Sequence, residues 1–314
     1  MRRLILLRLG MSLVSLVLAA AFVFFLIQLS PVDPVVLALG EGAEPQRLDA
    51  MRRELGLDQP YVVQFLSWFA GILRGDFGTS FFTHRAVLET LLERLPVTIS
   101  LLVGGGAIAI VVGLAAGFAA GLRPGGWMDR VVTSAVSLAL AVPGFWFALM
   151  LGLLFAVELR LLPVAGYVAF EDGPLLWLQS LVLPCVALAL HGMAVIGRHT
   201  RGVVIDVLGS PFIEAIRARG TPPGRIVRRY VLKNAMVPVL PVIGVQLAII
   251  IATSSVMEKV FVLPGLGTLM VASVISSDFP TLQGAIVVIA AMVILINLLV
   301  DLGLGLLDPR VRPQ

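Results

Sequence analysis

Long apolar runs dominate this chain, and the longest polar stretch between them, about 31–95, contains an amphipathic piece of its own. The first run extends to Leu29, with Arg2, Arg3 and Arg8 at its start. Five more follow at approximately 97 to 121, 131 to 157, 177 to 197, 235 to 256 and 282 to 307. Each is long enough to cross a hydrocarbon layer of roughly 30 Å at about 1.5 Å per residue. Water does not reach backbone amides in that layer, so each span must satisfy its own hydrogen bonds; runs this continuous suit helices rather than barrel strands. The pattern predicts an all-α integral membrane protein with about six transmembrane helices.

The first run resembles a secretory signal in its basic start and in the small pair Ala19 and Ala21. It continues, however, through Phe22, Val23, Phe24, Phe25, Leu26 and Ile27, which is spanning length, and is read as an uncleaved anchor. The stretch 31–95 is polar and rich in acids, among them Asp33, Glu41, Glu44, Asp49, Glu54, Asp58, Asp76, Glu89 and Glu93. From Asp58 to Leu73 the aromatics Tyr61, Phe65 and Phe69 recur every four residues with Trp68 alongside, predicting an interfacial helix capped by Asp58. The expected organisation is a first segment 1–30, an extracytoplasmic segment 31–95 and a five-helix core 96–310.

Within the second span Gly105, Ala109, Gly113, Gly117 and Gly121 recur at four-residue intervals, so one helix face is low enough for another helix to approach. Pro143, Pro184, Pro238 and Pro241 fall inside spans, where each removes a backbone donor. Pro143, Pro238 and Pro241 are the candidates for kinks or gating.

Composition agrees with the pattern: 59% of residues are hydrophobic and 13% charged, with a mean hydropathy of +1.01. A soluble domain averages near half apolar and a quarter charged. The net charge of +4 is unevenly spread. With the N-terminus inside, the inner segments hold 15 of the 23 basic residues, from Arg2 and Arg3 through Arg217, Arg219, Arg225, Arg228, Arg229 and Lys233 to Arg310 and Arg312. Basic residues concentrate on the cytoplasmic side of membrane proteins, which places both termini in the cytoplasm and accounts for the charge without nucleic acid.

Catalytic signals are missing. The sequence has no GxxxxGK[ST] loop, no HExxH and no GxSxG, so it shows no means of hydrolysing ATP, peptide or ester. Its one cysteine, Cys185, lies in an apolar run, so it forms no intrachain disulfide or cysteine-based zinc site. His191 stands alone in the fourth span, with no titratable group one turn away, and hydrogen bonding within the helices is its expected role. Asp301, one turn after Asn297, is read as inward-facing polar packing.

The sharpest local feature lies between the fourth and fifth spans, in a stretch holding eight basic residues. Ser210 suits an N-cap and Pro211 the first helical position; Glu214 sits in the first turn, and Gly220 followed by Pro222 and Pro223 stops the helix. The result is a short helix within 211–220, about nine residues and roughly 13 Å long. Ala215 and Ala218 leave one side low, which fits a protein groove better than a lipid surface, where large apolar residues would be needed.

Glu214-Ala215 with Gly220 five residues on resembles the Glu-Ala-Ala…Gly signature of ATP-binding-cassette (ABC) importer permeases. Ile216-Arg217-Ala218-Arg219-Gly220 and Lys233-Asn234-Ala235-Met236-Val237-Pro238 resemble the dipeptide, oligopeptide and nickel branch of that family. So do Leu55-Gly56-Leu57-Asp58-Gln59-Pro60, Gly75-Asp76-Phe77-Gly78-Thr79-Ser80, Glu93-Arg94-Leu95-Pro96, Pro264-Gly265-Leu266-Gly267, Asn297-Leu298-Leu299-Val300-Asp301 and Leu307-Asp308-Pro309-Arg310. Ile216, Leu263, Ser277 and Phe279 depart from the usual residues of the branch.

The resemblance implies a type I importer permease of the bacterial cytoplasmic membrane, non-catalytic and forming half of a translocation pathway. Its ATPase-coupling residues would be Phe212, Ile213, Glu214, Ala215, Arg217, Ala218, Arg219, Gly220 and Thr221. The implied partners are a second homologous permease, two ATP-binding subunits and an extracytoplasmic substrate-binding protein. This chain would hold no cofactor, ATP and magnesium belonging to the partners. Small peptides are the expected substrate, with nickel or a metal chelate as the alternative. A self-contained secondary transporter or channel is the rival from another class, but it needs charged groups near the bilayer middle, and these spans are almost bare of them.

Overall fold

The computed structural model describes residues 2–29, 34–39, 42–54 and 56–307. Among these, every regular element is helical, and the one β feature is an isolated bridge between Thr79 and Ala86. In order, the helices are α1 (Arg2–Gln28), α2 (Pro34–Leu39), α3 (Pro45–Glu54), α4 (Tyr61–Leu73), α5 (Val87–Gly121), α6 (Trp127–Ala141) and α7 (Gly144–Leu151). They continue with α8 (Pro174–Leu208), α9 (Pro211–Ala218), α10 (Pro223–Ile226), α11 (Leu232–Val260), α12 (Leu266–Ile275) and α13 (Phe279–Leu307). Leu55, the first residue of the Leu55-Gly56-Leu57-Asp58-Gln59-Pro60 motif, together with Asp33, Glu41, Asp308-Pro309-Arg310 and Arg312, lies outside the described residues.

Five helices are long and apolar enough to cross a membrane alone, and α6 with α7 supplies a sixth crossing as a bent pair. That pair corrects the expected continuous span 131–157: the chain turns by 101° between Ala141 and Gly144. The cause is Pro143. The ring disfavours helical ψ for the residue before it, and Val142 is extended at φ −87°, ψ 124°. Pro184, Pro238 and Pro241, by contrast, sit inside helices that run on past them. α5 also begins ten residues earlier than its apolar run, and Pro96 is accommodated within it. Helices α2 and α3, in the polar stretch, had no clear sequence signal.

The chain folds as two compact units. One is built on Ile99–Leu263, with the first residues of α1 and the last turns of α13. Its centre is α8, with 72% of its most apolar window buried against 17% for α1 and α13, which leave their apolar surface for lipid or partner chains. α8 packs along the small-residue face of α5. A Cβ on Gly113 would stand 2.9 Å from Ile196 Cβ, one on Gly117 would stand 2.6 Å from both the Gly197 carbonyl oxygen and Thr200 Cβ, and one on Gly121 would stand 2.8 Å from Val204. Residue numbers rise together along the seam, from Gly104 beside Cys185 to Gly121 beside Val204, so α5 and α8 are parallel. Parallel neighbours require a return crossing between them, which the bent α6–α7 pair supplies.

The second unit comprises Gly10–Thr98 and Pro264–Ile294. Val87, Leu91, Leu266 and Ala285 form its buried cluster. Asp278, buried just ahead of α13, organises the loop before α5: Ser80 donates its hydroxyl at 2.6 Å, Phe81 its N–H at 3.1 Å and Thr281 its hydroxyl at 2.7 Å. The interfacial piece begins at Tyr61 with Pro60 at its cap position and no side-chain cap, so Asp58 does not fill the role expected of it. Its aromatic stripe meets α1: the Phe65 ring centroid lies 5.6 Å from Phe24, and Trp68 lies 5.4 Å from the same ring.

Because the seam leaves no room for a side chain, Gly117→Leu is expected to destabilise the protein by about 1–3 kcal/mol or more, as overpacking of a tight contact does. Gly202→Ala, at a helical glycine with nothing near its would-be Cβ, is the neutral control. Thermal unfolding of the detergent-purified protein measures both, and equal midpoints would show that the seam is not a stabilising contact.

Candidate functional site

Two features bear on function, the short helix α9 and a cavity among α6, α7, α8 and α11. α9 is held by its apolar side. Ile213 is fully buried in a cluster with Val204 near the end of α8, Ile226 on α10, Val231 in the turn just before α11 and Ala235 in the first turn of α11. Phe118 and Leu122 at the end of α5, with Ile216 and Tyr230, pack around that cluster. Phe212 is 42% exposed and meets Tyr230 edge-on, with ring centroids 6.5 Å apart. Burying one isoleucine side chain contributes roughly 1.5–3 kcal/mol, enough to seat so short a helix.

The opposite face is open. Glu214, Ala215, Arg217, Ala218, Arg219 and Gly220 are all exposed, and Thr221 is partly so. The alanines therefore form a shallow strip flanked by an acid and two bases. Gly220 takes φ +74°, the left-handed conformation expected of a residue just past a helix end, and its N–H donates to the Arg217 carbonyl at 2.9 Å. Ser210 occupies the cap position, but its hydroxyl turns back to donate to the Val207 carbonyl at 2.6 Å rather than accepting from the helix. The helix itself is eight residues long, Pro211–Ala218.

The chain beneath α9 is fixed by a contact that sequence reading missed. Asp129, buried in the first turn of α6, takes both Nε and Nη2 of Arg201 on α8, the second at 2.8 Å, with the Gly125 N–H also at 2.8 Å and the Thr133 hydroxyl at 3.3 Å. The two residues are 72 apart in sequence, and nothing local marks them as a pair. At the chain's ends Arg8 pairs with Asp301 at 2.8 Å, which gives Asp301 a partner, whereas Asn297, expected to face inward with it, is exposed.

The cavity, of about 320 Å³, is lined by Val142 and Gly144 on either side of the Pro143 break, by His191 and Gly192 on α8, and by Gln246 and Thr253 on α11, among others. His191 is exposed there rather than bonded between helices. Gln246 is 5% exposed, and its Oε1 finds no hydrogen-bond partner among the described residues. Leaving such a group unsatisfied costs about 1–3 kcal/mol. Pro238 and Pro241 lie on the exposed side of α11, with Val245 and Ile249 further along it, and His199 donates Nε2–H to the Pro238 carbonyl at 3.3 Å. The three proline candidates therefore differ: Pro143 creates a break, while Pro238 and Pro241 mark an open helix face.

Spanning helices packed on a central α8, with a broken crossing and a short exposed helix, have the form of a membrane transport subunit. Known proteins match along nearly the whole chain. Residues 109–313 match the family described as binding-protein-dependent transport system inner membrane component, and residues 1–102 match the N-terminal component of such membrane proteins. The chain belongs to this family of importer permeases. A Brucella abortus (strain 2308) protein provisionally named a peptide transport system permease is 39% identical over 312 residues, 99% of each chain. The glutathione transport system permease protein GsiC of Salmonella choleraesuis (strain SC-B67) is 35% identical over 298 residues, 95% of each chain. Among solved structures, an inward facing conformation of the MetNI methionine ABC transporter shares the fold, with a TM-score of 0.56 and 19% identity over 70% of this chain and 97% of that one.

If Ile213 is the anchor of α9, Ile213→Ala should loosen the helix by about 2–4 kcal/mol while the spans stay folded. Hydrogen exchange of residues 211–220 should accelerate by an order of magnitude or more, with the amides of α8 unchanged. Unchanged protection of α9 would show that the anchor lies elsewhere.

Proposed function

We propose that this chain forms half of the translocation pathway of an ABC importer for small peptides, and that α9 is the element through which partner ATPases drive it. The observation that carries the reading is the division of α9 into a buried Ile213 side and an exposed Glu214–Ala215–Ala218 side. A helix gripped by its own chain on one face and low and polar on the other transmits a push from a partner without coming loose. Phe212, Ile213, Glu214, Ala215, Arg217, Ala218, Arg219, Gly220 and Thr221 make up this coupling element.

The partners implied are a second permease of similar fold, two ATP-binding subunits that carry ATP and magnesium and perform the hydrolysis, and an extracytoplasmic binding protein that delivers substrate. The basic residues of the stretch around α9 support a cytoplasmic position for this end of the molecule, with both termini inside and residues 31–95 outside. On this reading 96–310 is the transport core, and the chain alternates between inward-open and outward-open arrangements with Pro143 as a hinge and Pro238 and Pro241 as softer points. Peptide is favoured over nickel because the relatives that match along nearly their full length are named for peptide and for glutathione, itself a tripeptide.

Two experiments follow. Glu214→Lys reverses a charge on the exposed face, and Gly220→Val puts a β-branched residue at positive φ. Each is expected to lower ATP-driven uptake at least tenfold in the reconstituted complex while the subunit remains folded in the membrane; wild-type uptake in both removes the coupling role. In cells lacking the gene, uptake of labelled di- and tripeptides is expected to fall and to return on complementation. Loss of nickel uptake with peptide uptake intact would instead assign a metal substrate.

A further inference from the structure

We propose that Gln246 and His191 form a hydrogen-bonding subsite on the wall of the translocation pathway, one that holds the backbone of a peptide in transit. The proposal rests on the peptide-importer reading and adds a place within the membrane where the substrate is touched. Gln246 is almost wholly buried, yet its Oε1 has no partner among the described residues, and the side chain borders the cavity at the Pro143 break. Its position is built rather than incidental. A Cβ on Gly192 would stand 3.1 Å from Ala109 Cβ and at ordinary contact distance from Gln246, 3.9 Å from its Cβ and 4.0 Å from Oε1, so the amide sits where α5, α8 and α11 converge.

The neighbours do not satisfy it. Thr253, on the same cavity wall, commits its hydroxyl to the Ile249 carbonyl of its own helix at 2.8 Å. His191 faces the same space from α8 with an exposed ring. No acidic, lysine or arginine side chain lines this cavity, and its other walls are apolar or glycine. That chemistry selects a neutral ligand with both donors and acceptors. A peptide backbone fits, because every residue offers an N–H and a carbonyl whatever its side chain. At about 320 Å³ the cavity lies at the small end of ligand sites, suited to a short segment rather than a whole oligopeptide. Val142 and Gly144 bring the break in the third crossing to the same wall, so straightening or further bending there would reshape the subsite during the transport cycle.

The test uses the complete transporter, with both permeases, the ATPases and the binding protein, in vesicles. Gln246→Leu keeps volume and removes the amide; it is expected to lower uptake of a labelled tripeptide about tenfold while binding-protein-stimulated ATPase activity stays within twofold. The thermal midpoint should hold or rise, since an unsatisfied buried polar group has gone. His191→Leu should lower uptake similarly, and His191→Gln should restore most of it. A backbone N-methylated tripeptide should be carried poorly by the wild type and no worse by Gln246→Leu. Uptake within twofold of wild type in both leucine variants overturns the subsite and leaves the peptide reading standing. So does a fall in midpoint in both variants that matches the loss of uptake, which would mean packing alone. Wild-type vesicles that carry no peptide overturn both.

Discussion

The close approach of α5 to α8 underlies much of the Ile99–Leu263 unit. In a bilayer the lipid tails are as apolar as leucine, so two helices gain little by hiding apolar surface and associate through dense packing instead. Gly113, Gly117 and Gly121 permit that density by letting Ile196, Thr200 and Val204 sit directly on the α5 backbone. The register so fixed places Val204 in the floor that receives Ile213, so the seat of α9 is set by the end of the seam where Gly121 lies against Val204. The Asp129–Arg201 pair pins the start of α6 to α8 at the same end.

α8 supports two further features whose demands conflict. Towards α5 it is apolar and tight, whereas on the side of α11 it borders a space that holds His191 and Gln246. A polar group unsatisfied in the middle of a membrane protein costs stability that a leucine would not, and such groups persist where they serve a function. The break at Pro143 adjoins the same space, and it relinquishes helical hydrogen bonds that an unbroken span would keep. The close-packed seam and the broken crossing thus differ in how firmly neighbouring helices fix them.

Much of this was legible from the sequence because the signals were local or periodic. Runs of twenty or more apolar residues fix spanning helices through the cost of unpaired backbone in lipid, and five of the six expected crossings are single helices close to their predicted positions. The Gly105 to Gly121 spacing announced a packing face, which proved to be the α5–α8 seam. Pro211 and Gly220 bounded α9 as their backbone preferences require. The same local reading went astray where a neighbour decided the outcome: the Ser210 hydroxyl found Val207, Pro60 took the position assigned to Asp58, and Pro143 turned a loosened span into a break of 101°.

What only tertiary structure decided are the meetings between residues far apart in the chain. Asp129 and Arg201, Arg8 and Asp301, and Asp278 with Ser80 carry no mark in their own sequence neighbourhoods, because a carboxylate reads the same whether its partner is a distant arginine or water. Gln246 is an ordinary glutamine in an apolar run until α8 is placed beside it with Gly192 underneath. The sequence by itself determined the class of protein, the number of its crossings and the bounds of the short helix α9, since these follow from hydropathy, periodicity and backbone preference. Which side of that helix is held, which face of α8 is tight and which borders the cavity, and where a polar group goes unpaired were settled only by packing, because burial belongs to the assembled helices and not to any one of them.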